Sequence, residues 1–254
     1  MTTDLDPKQG NVERIGRDAF GWRRLLVLSA FGTVASLLVP MLITLSLEPF
    51  LLSMAAPVVI GLLVMRRWPR AGSITLGVVS LALLASGAPF LVDALSHPES
   101  LVDFLPLALF TASALLGTIA AIPAYRETTP PKVASGPARG LALAGAVILA
   151  AAAVVSVVSF AGVDSQEASP GDVRLVAEEI EWAPGDLAAG AGTISVHVTN
   201  RDATRHTFTI DALDVDLNVP PNTTQRVTFE ASPGNYPFYC SPHADAMEGT
   251  LTVG

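Results

Sequence analysis

Five long stretches in the first 163 residues contain no charged side chain. They run from Leu25 to Leu47, Pro49 to Met65, Ala71 to Val92, Phe104 to Tyr125 and Gly140 to Val163. A helix of about 20 apolar residues spans the roughly 30 Å hydrocarbon core of a bilayer, so each stretch predicts a transmembrane helix. Half of the 254 residues are apolar and only 15% are charged, which is unusual for one soluble domain. We therefore expect residues 25–163 to form an all-α membrane bundle of five transmembrane helices.

The positions of the basic residues indicate how this bundle is oriented. If all five stretches cross, the 11 Lys and Arg before residue 140 fall on one side, in the N-terminal segment 1–24 and in the loops at 66–70 and 126–139. The opposite loops, around Glu48 and at 93–103, contain none. Short cytoplasmic loops are enriched in Lys and Arg. We therefore expect the segment 1–24 to be cytoplasmic and the chain after residue 163 to lie on the periplasmic or extracellular side of the cytoplasmic membrane.

The apolar stretches themselves lack the groups that carry membrane chemistry. They contain no His, Asp, Glu, Lys or Arg, whereas proton relays and ion paths use ionisable residues. We expect the bundle to anchor the protein or to bind a partner. We also expect the first stretch to be retained, because 24 mostly polar residues precede it and Ala30 and Ala35 give no clear signal-peptide cleavage pattern.

The remainder of the chain is acidic. From Asp164 onward it holds four Arg, no Lys and 14 Asp or Glu, a net charge of −10. A surface of this sign does not neutralise phosphates, so nucleic acid is excluded as a partner. The acidity either steers docking to a basic redox partner or only keeps the domain soluble.

The hydrophobic pattern changes from helical to alternating after residue 172. Residues 164–172 are polar and rich in turn formers, which predicts a linker before a domain at 173–254. Runs such as 193–199 and 205–210 alternate apolar and polar residues, and Pro, Gly and Asn separate them. About seven short strands without a helical period predict an all-β sandwich.

Four residues of this domain have the side chains of a copper site. Cys240 is the only cysteine, His243 follows three residues later and Met247 four after that, while His206 begins a predicted strand upstream. Thiolate, imidazole and thioether are the donors of electron-transfer copper sites. Cys-x-x-His alone would also suit zinc, but structural zinc usually takes four strong ligands.

The other two histidines have weaker claims to a function. His97 lies in a short loop near carboxylates, where a weak metal site is conceivable but an ordinary loop residue is the simpler interpretation. His197 alternates with Ile194, Val196 and Val198, which predicts that it points outward as a surface residue.

These features together resemble the cupredoxin family of blue-copper proteins over residues 173–254. The matching elements are the histidine at a strand start, the Pro-Gly-Asn-Tyr-Pro-Phe-Tyr-Cys approach to Cys240, the Cys-x-x-His with a following Met, and a closing strand at 249–253. The resemblance implies a Greek-key sandwich that holds one mononuclear type 1 copper. By position, His206, Cys240 and His243 would be the strong ligands and Met247 the weak axial one.

Two departures from the family pattern concern the surroundings of the site. The His-to-Met spacing is one residue shorter than in plastocyanin-like loops and one longer than in amicyanin-like loops. Thr207 stands where many members have Asn, so a hydrogen bond to the thiolate would have to come from its backbone or hydroxyl. Both departures bear on the reduction potential and neither removes a ligand.

The resemblance implies single-electron transfer between redox proteins, not catalysis. It also implies that His243 reaches the surface through an apolar patch, here Pro242, Ala244, Ala246 and Pro220. Copper oxidases need a second copper site built from many histidines, and this chain has four in all. An outward-facing copper carrier or sensor is the alternative, although such proteins tend to use Met- or His-rich clusters.

Overall fold

The computed structural model describes residues 19–44, 47–127, 131 and 133–254. Most of the predicted N-terminal segment, with Lys8, Arg14 and Arg17, lies outside these residues, as does Lys132. The described part of the chain begins with five long helices: α1 Trp22–Thr44, α2 Pro49–Arg67, α3 Pro69–Ser96, α4 Leu101–Arg126 and α5 Gly136–Ala161. Each overlaps one predicted stretch and is long and apolar enough to cross a membrane by length and composition. The predicted all-α region is confirmed.

The chain forms two compact units. The first consists of the chain up to Ser96 together with Leu105–Val154, and the second of His97–Phe104 together with Val155–Gly254. The second unit thus contains more than the predicted domain at 173–254, because it includes the loop after α3, the first turn of α4 and residues 155–172. The predicted domain boundaries stay a prediction.

Small residues bring the helices of the first unit close together. A Cβ on Gly77 of α3 would overlap the Cβ of Ala121 on α4, and one on Gly117 would lie 2.7 Å from the hydroxyl of Ser80. Glycine at these points lets the helix backbones approach, as is common in membrane bundles. Leu26 and Leu76 are almost fully buried in the core of this unit.

Large apolar side chains on the same helices remain exposed. Leu42 and Phe90 are each 72% exposed, and Val147 is 68% exposed. Many exposed apolar side chains of this size are unfavourable in water and suit contact with lipid or with other apolar surfaces.

Nine strands form the body of the second unit. They are β1 Val173–Glu178, β2 Glu181–Ala183, β3 Asp186–Ala189, β4 Gly192–Asn200, β5 His206–Ile210, β6 Val215–Val219, β7 Thr224–Ala231, β8 Gly234–Tyr239 and β9 Glu248–Val253. One sheet has the order β2-β1-β4-β7 and the other β3-β9-β8-β5-β6. The predicted sandwich is confirmed, with nine strands where the pattern predicted about seven, because β2 and β3 are too short to show alternation.

The core lies between the two sheets. Alternate residues of β4, including Val196 and Val198, are fully buried and face a cluster that contains Phe208 and Phe238, whose ring centroids are 5.2 Å apart. Burying an aromatic or branched side chain stabilises the fold by about 1.5–3 kcal/mol per residue. This packing makes a rigid support for the loops at the ends of the strands.

His197 is not the surface residue that the alternation predicted. Only 8% of it is exposed. Its Nε2 lies 2.9 Å from the carbonyl oxygen of Gln166, and the Gln166 N–H in turn donates to the carbonyl oxygen of Thr224. The residue is therefore on the outer face of its sheet, as its position in the strand requires, but the preceding segment of the chain covers it.

Candidate metal centre

Three strand ends bring the donor residues together. His206 is the first residue of β5, Cys240 directly follows β8, and β9 begins just after Met247. Because β8 lies between β5 and β9 and runs antiparallel to both, the start of β5, the end of β8 and the start of β9 meet at the same end of the sandwich. In the sequence, His206 follows a polar turn and Cys240 follows a strand. The pairing of the strands then brings the two residues together.

The donor atoms of His206, Cys240 and His243 all lie within 4.8 Å of one another. The Nδ1 atom of each imidazole is 3.5 Å from Cys240 Sγ, and the two ring centroids are 5.0 Å apart. Cys240 and His206 have no exposed surface, whereas His243 is partly exposed. The three residues can therefore direct one thiolate and two nitrogen atoms at a common point.

Backbone hydrogen bonds close the loop that carries two of these donors. The Cys240 N–H donates to the Met247 carbonyl oxygen at 3.0 Å, and the Met247 N–H donates to the carbonyl oxygen of His243 at 2.9 Å. Met247 is fully buried in the same core cluster as Cys240. The loop thus fixes the position of Met247 next to the three clustered residues.

Two further residues hold the site in place and were not identified in the sequence. Asp202 Oδ2 lies 2.8 Å from His206 Nε2. If Nε2 carries the proton, the imidazole donates to this carboxylate and its Nδ1 lone pair is free for a metal. The indole N–H of Trp182 donates to the Met247 carbonyl oxygen at 3.2 Å. A carboxylate four residues before the histidine is a signal that could have indicated Asp202.

Thr207 supplies the bond to sulfur through its backbone. Its N–H donates to Cys240 Sγ at 3.4 Å. Its hydroxyl instead accepts a hydrogen bond from the Ser241 N–H at 2.8 Å. The hydrogen bond to sulfur thus comes from the Thr207 backbone and not from its hydroxyl, the two sources that the sequence allowed. The hydroxyl instead holds Ser241, the residue after the cysteine.

Burial controls the charges of these groups. It lowers the pKa of His206, although the hydrogen bond to Asp202 acts in the opposite direction. Burial and then the neighbouring His206 lower the pKa of His243. Burial also raises the pKa of the Cys240 thiol, which the Thr207 N–H partly opposes. Neutral imidazoles are ready to bind a metal, and a bound cation would replace the thiol proton.

The donor set fits copper better than other metals. One soft thiolate, two imidazoles and a nearby buried thioether match the preference of copper for mixed sulfur and nitrogen ligands. This is the one cluster of three or more His, Cys, Asp or Glu donors among the described residues. His97 is instead paired with Glu99, with Nδ1 3.0 Å from Oε1.

Comparison with known proteins found one family model and several solved structures that are similar to part of this chain. A family model described as a cupredoxin-like domain matches residues 145–253, which include all four candidate ligands. No curated protein matches. Similar solved structures include amicyanin from Paracoccus versutus (Thiobacillus versutus), at 16% identity, with 35% of this chain and 86% of that chain covered and a TM-score of 0.30. A reduced mutant of amicyanin is similar at 19% identity, with 35% and 87% covered and a TM-score of 0.30.

The family match and the donor set together imply one type 1 copper. The C-terminal part of the chain is a cupredoxin-like domain. The arrangement of one cysteine between two imidazoles at its edge is a copper-binding arrangement.

The contact between Asp202 and His206 predicts a measurable effect on copper affinity. Replacing Asp202 with Ala removes the acceptor that orients the imidazole, so we expect copper to bind about 10- to 100-fold more weakly. Competition with a chromophoric Cu(I) chelator measures this. Asp202→Asn retains an acceptor oxygen and should keep most of the affinity. Unchanged binding in Asp202→Ala would show that the contact does not orient the ligand.

Proposed function

We propose that this protein carries single electrons through one copper ion held by His206, Cys240, His243 and Met247. The observation that carries the proposal is the buried convergence of Cys240 Sγ with two imidazole Nδ1 atoms, each 3.5 Å away. Bound copper would supply a one-electron couple between its Cu(I) and Cu(II) states. The residues around it have to bind the metal, keep water away and change little between the two states.

The contacts of the site suit a carrier that changes little on electron transfer. Asp202 fixes one imidazole, the Thr207 N–H points at sulfur, and the loop that ends at Met247 is closed by backbone bonds at both ends. A rigid set of donors leaves little to rearrange when the metal gains or loses charge, which lowers the barrier to electron transfer.

A copper carrier or sensor would need a different arrangement. Transfer of the metal itself requires donors that a partner can reach, whereas Cys240, His206 and Met247 are fully buried. A chain with one cysteine and four histidines also has too few donors for a second, oxidase-type copper site beside the first. We therefore propose an electron carrier that is not itself an enzyme.

Visible spectroscopy of the full-length protein in mild detergent tests this function. Loaded with Cu(II), it should show an intense thiolate-to-copper charge-transfer band that disappears and returns with one electron per protein. His206→Gln should lose the band, whereas His197→Gln, a buried histidine outside the site, should keep it. A colourless protein that binds only Cu(I) would instead indicate copper handling.

Partners would reach the copper through His243, the partly exposed ligand. Pro242, Ala244 and Ala246 are exposed around it, while Pro220, also expected in the apolar patch, is buried. Redox partners meet through small interfaces of short lifetime. We propose that the three exposed residues form the docking face for redox proteins.

A charge on this face should slow electron exchange without altering the copper. We expect Ala244→Glu to reduce the exchange rate between oxidised and reduced copies by about tenfold, equivalent to about 1.4 kcal/mol. NMR line broadening measures the rate. Ala188→Glu places the same charge on the exposed face of β3 and is the matched control. Equal rates in the two variants would show that docking occurs elsewhere.

We further propose that the five helices anchor the protein in the cytoplasmic membrane, with the copper domain on the outer side. The support is their length and apolar composition, together with the confinement of the basic residues to alternate loops. An electron carrier in this position would exchange electrons with partners at the outer face of the cytoplasmic membrane.

Reporter fusions test the orientation. Alkaline phosphatase, which is active only outside the cytoplasm, should be active when fused after Gly254 and inactive when fused after Arg67 or Arg126. A fluorescent protein that folds only in the cytoplasm should give the reverse result at each position. An active phosphatase fused after Arg67 would contradict the proposed topology.

A further inference from the structure

The segment 97–104, which comprises the loop after α3 and the first turn of α4, belongs to the compact unit that contains the candidate copper centre. Two hydrogen bonds join it to the strands beside the site. Asp103 Oδ2 accepts from the backbone N–H of Arg205 at 3.2 Å, and Glu99 Oε1 accepts from the Asn218 side-chain amide at 2.9 Å. A segment remote in sequence thus contacts the residue that directly precedes His206.

The segment is held in shape by its own bonds. The Ser100 hydroxyl donates to Asp103 Oδ2, and the Phe104 N–H donates to the Ser100 carbonyl oxygen as α4 begins. A serine followed three residues later by an acidic residue is a common sequence at the start of a helix. Ser100 is fully buried, and the Ser156 hydroxyl donates to the Pro98 carbonyl oxygen at 2.6 Å. The two carboxylates are therefore presented to the strands in a fixed arrangement.

The two contacted residues, one just before β5 and one in β6, lie beside the candidate ligand His206. Arg205 is only 6% exposed, and its Nη1 donates to Asn218 Oδ1 at 3.4 Å. Asn218 pairs with Thr207 across β5 and β6, and Thr207 is the residue whose N–H donates to Cys240 Sγ. The segment 97–104 therefore contacts both sides of His206. Asp103 bonds directly to Arg205, and Glu99 bonds to Asn218, the cross-strand partner of Thr207.

The charge of Asp103 also acts on the site. Its carboxylate accepts a hydrogen bond from the N–H of Arg205, the residue next to His206, so a negative charge lies close to this ligand. A nearby negative charge favours the more positive state of a metal bound there. Asp103 therefore opposes reduction of Cu(II).

We propose that the segment 97–104 is a positioning element of the copper site, in which Asp103 fixes the start of β5 and lowers the reduction potential. The inference rests on the proposed copper function, since a potential exists only with the metal bound. It assigns a function at the copper site to a stretch that lies outside the predicted domain at 173–254. Asp103 acts through Arg205 and through its charge, without binding the metal.

The effect on potential is tested in the full-length copper-loaded protein with Asp103→Asn. Asn keeps an acceptor for the Arg205 N–H but removes the charge, so the potential should rise and the Cu(I)/Cu(II) ratio at a fixed applied potential should increase about three- to fivefold. Glu230→Gln removes the same charge from an exposed position at the opposite end of the sandwich and should leave the potential unchanged. Equal potentials in the two variants would overturn the inference that Asp103 lowers the potential.

The positioning contact is tested without metal. In the metal-free full-length protein, Asp103→Ala should make the Arg205 amide exchange with deuterium about tenfold faster, whereas Asp103→Asn should largely preserve its protection. Unchanged exchange in Asp103→Ala would overturn the positioning role.

If the wild-type protein shows no charge-transfer band, the proposed copper function fails. A normal band with no shift in Asp103→Asn overturns only the inference on potential.

Discussion

The placement of β8 between β5 and β9 determines where the donor atoms meet. This order puts His206, at the start of β5, beside Cys240, at the end of β8, and makes the loop up to Met247 the connection to β9. The backbone bond between Cys240 and Met247 then closes that loop. The donor geometry is therefore a property of the sheet, and it is as rigid as the packed core beneath it.

Burial and polar contacts act on the site in opposite directions. Burial favours neutral groups, which opposes proton binding by the imidazoles and loss of the proton from the thiol. Asp202 and Asp103 supply negative charge that favours a bound cation, and the Thr207 N–H favours the thiolate form of Cys240. The balance between these influences sets how strongly the protein holds copper and how readily that copper accepts an electron.

The sequence predicted the elements and the central cluster but not the contacts around them. Long uncharged stretches and alternating strands give strong signals, and Cys240 and His243 indicate copper only when Met247 and the upstream His206 are considered with them. The positions of Trp182 and Asp103 depend on how distant segments fold together, so no local pattern indicates them, whereas Asp202 lies only four residues before His206. His197 was predicted to be exposed because alternation specifies the face of a sheet but not whether another segment covers that face.

The central claim is that one copper ion is bound by the sulfur of Cys240 and by two imidazoles. X-ray absorption at the copper edge of the loaded full-length protein measures these bonds directly. The account predicts a single short copper–sulfur bond together with the scattering pattern of two imidazole rings, His206 and His243. A copper environment of nitrogen and oxygen atoms alone, without short-range sulfur, would contradict it.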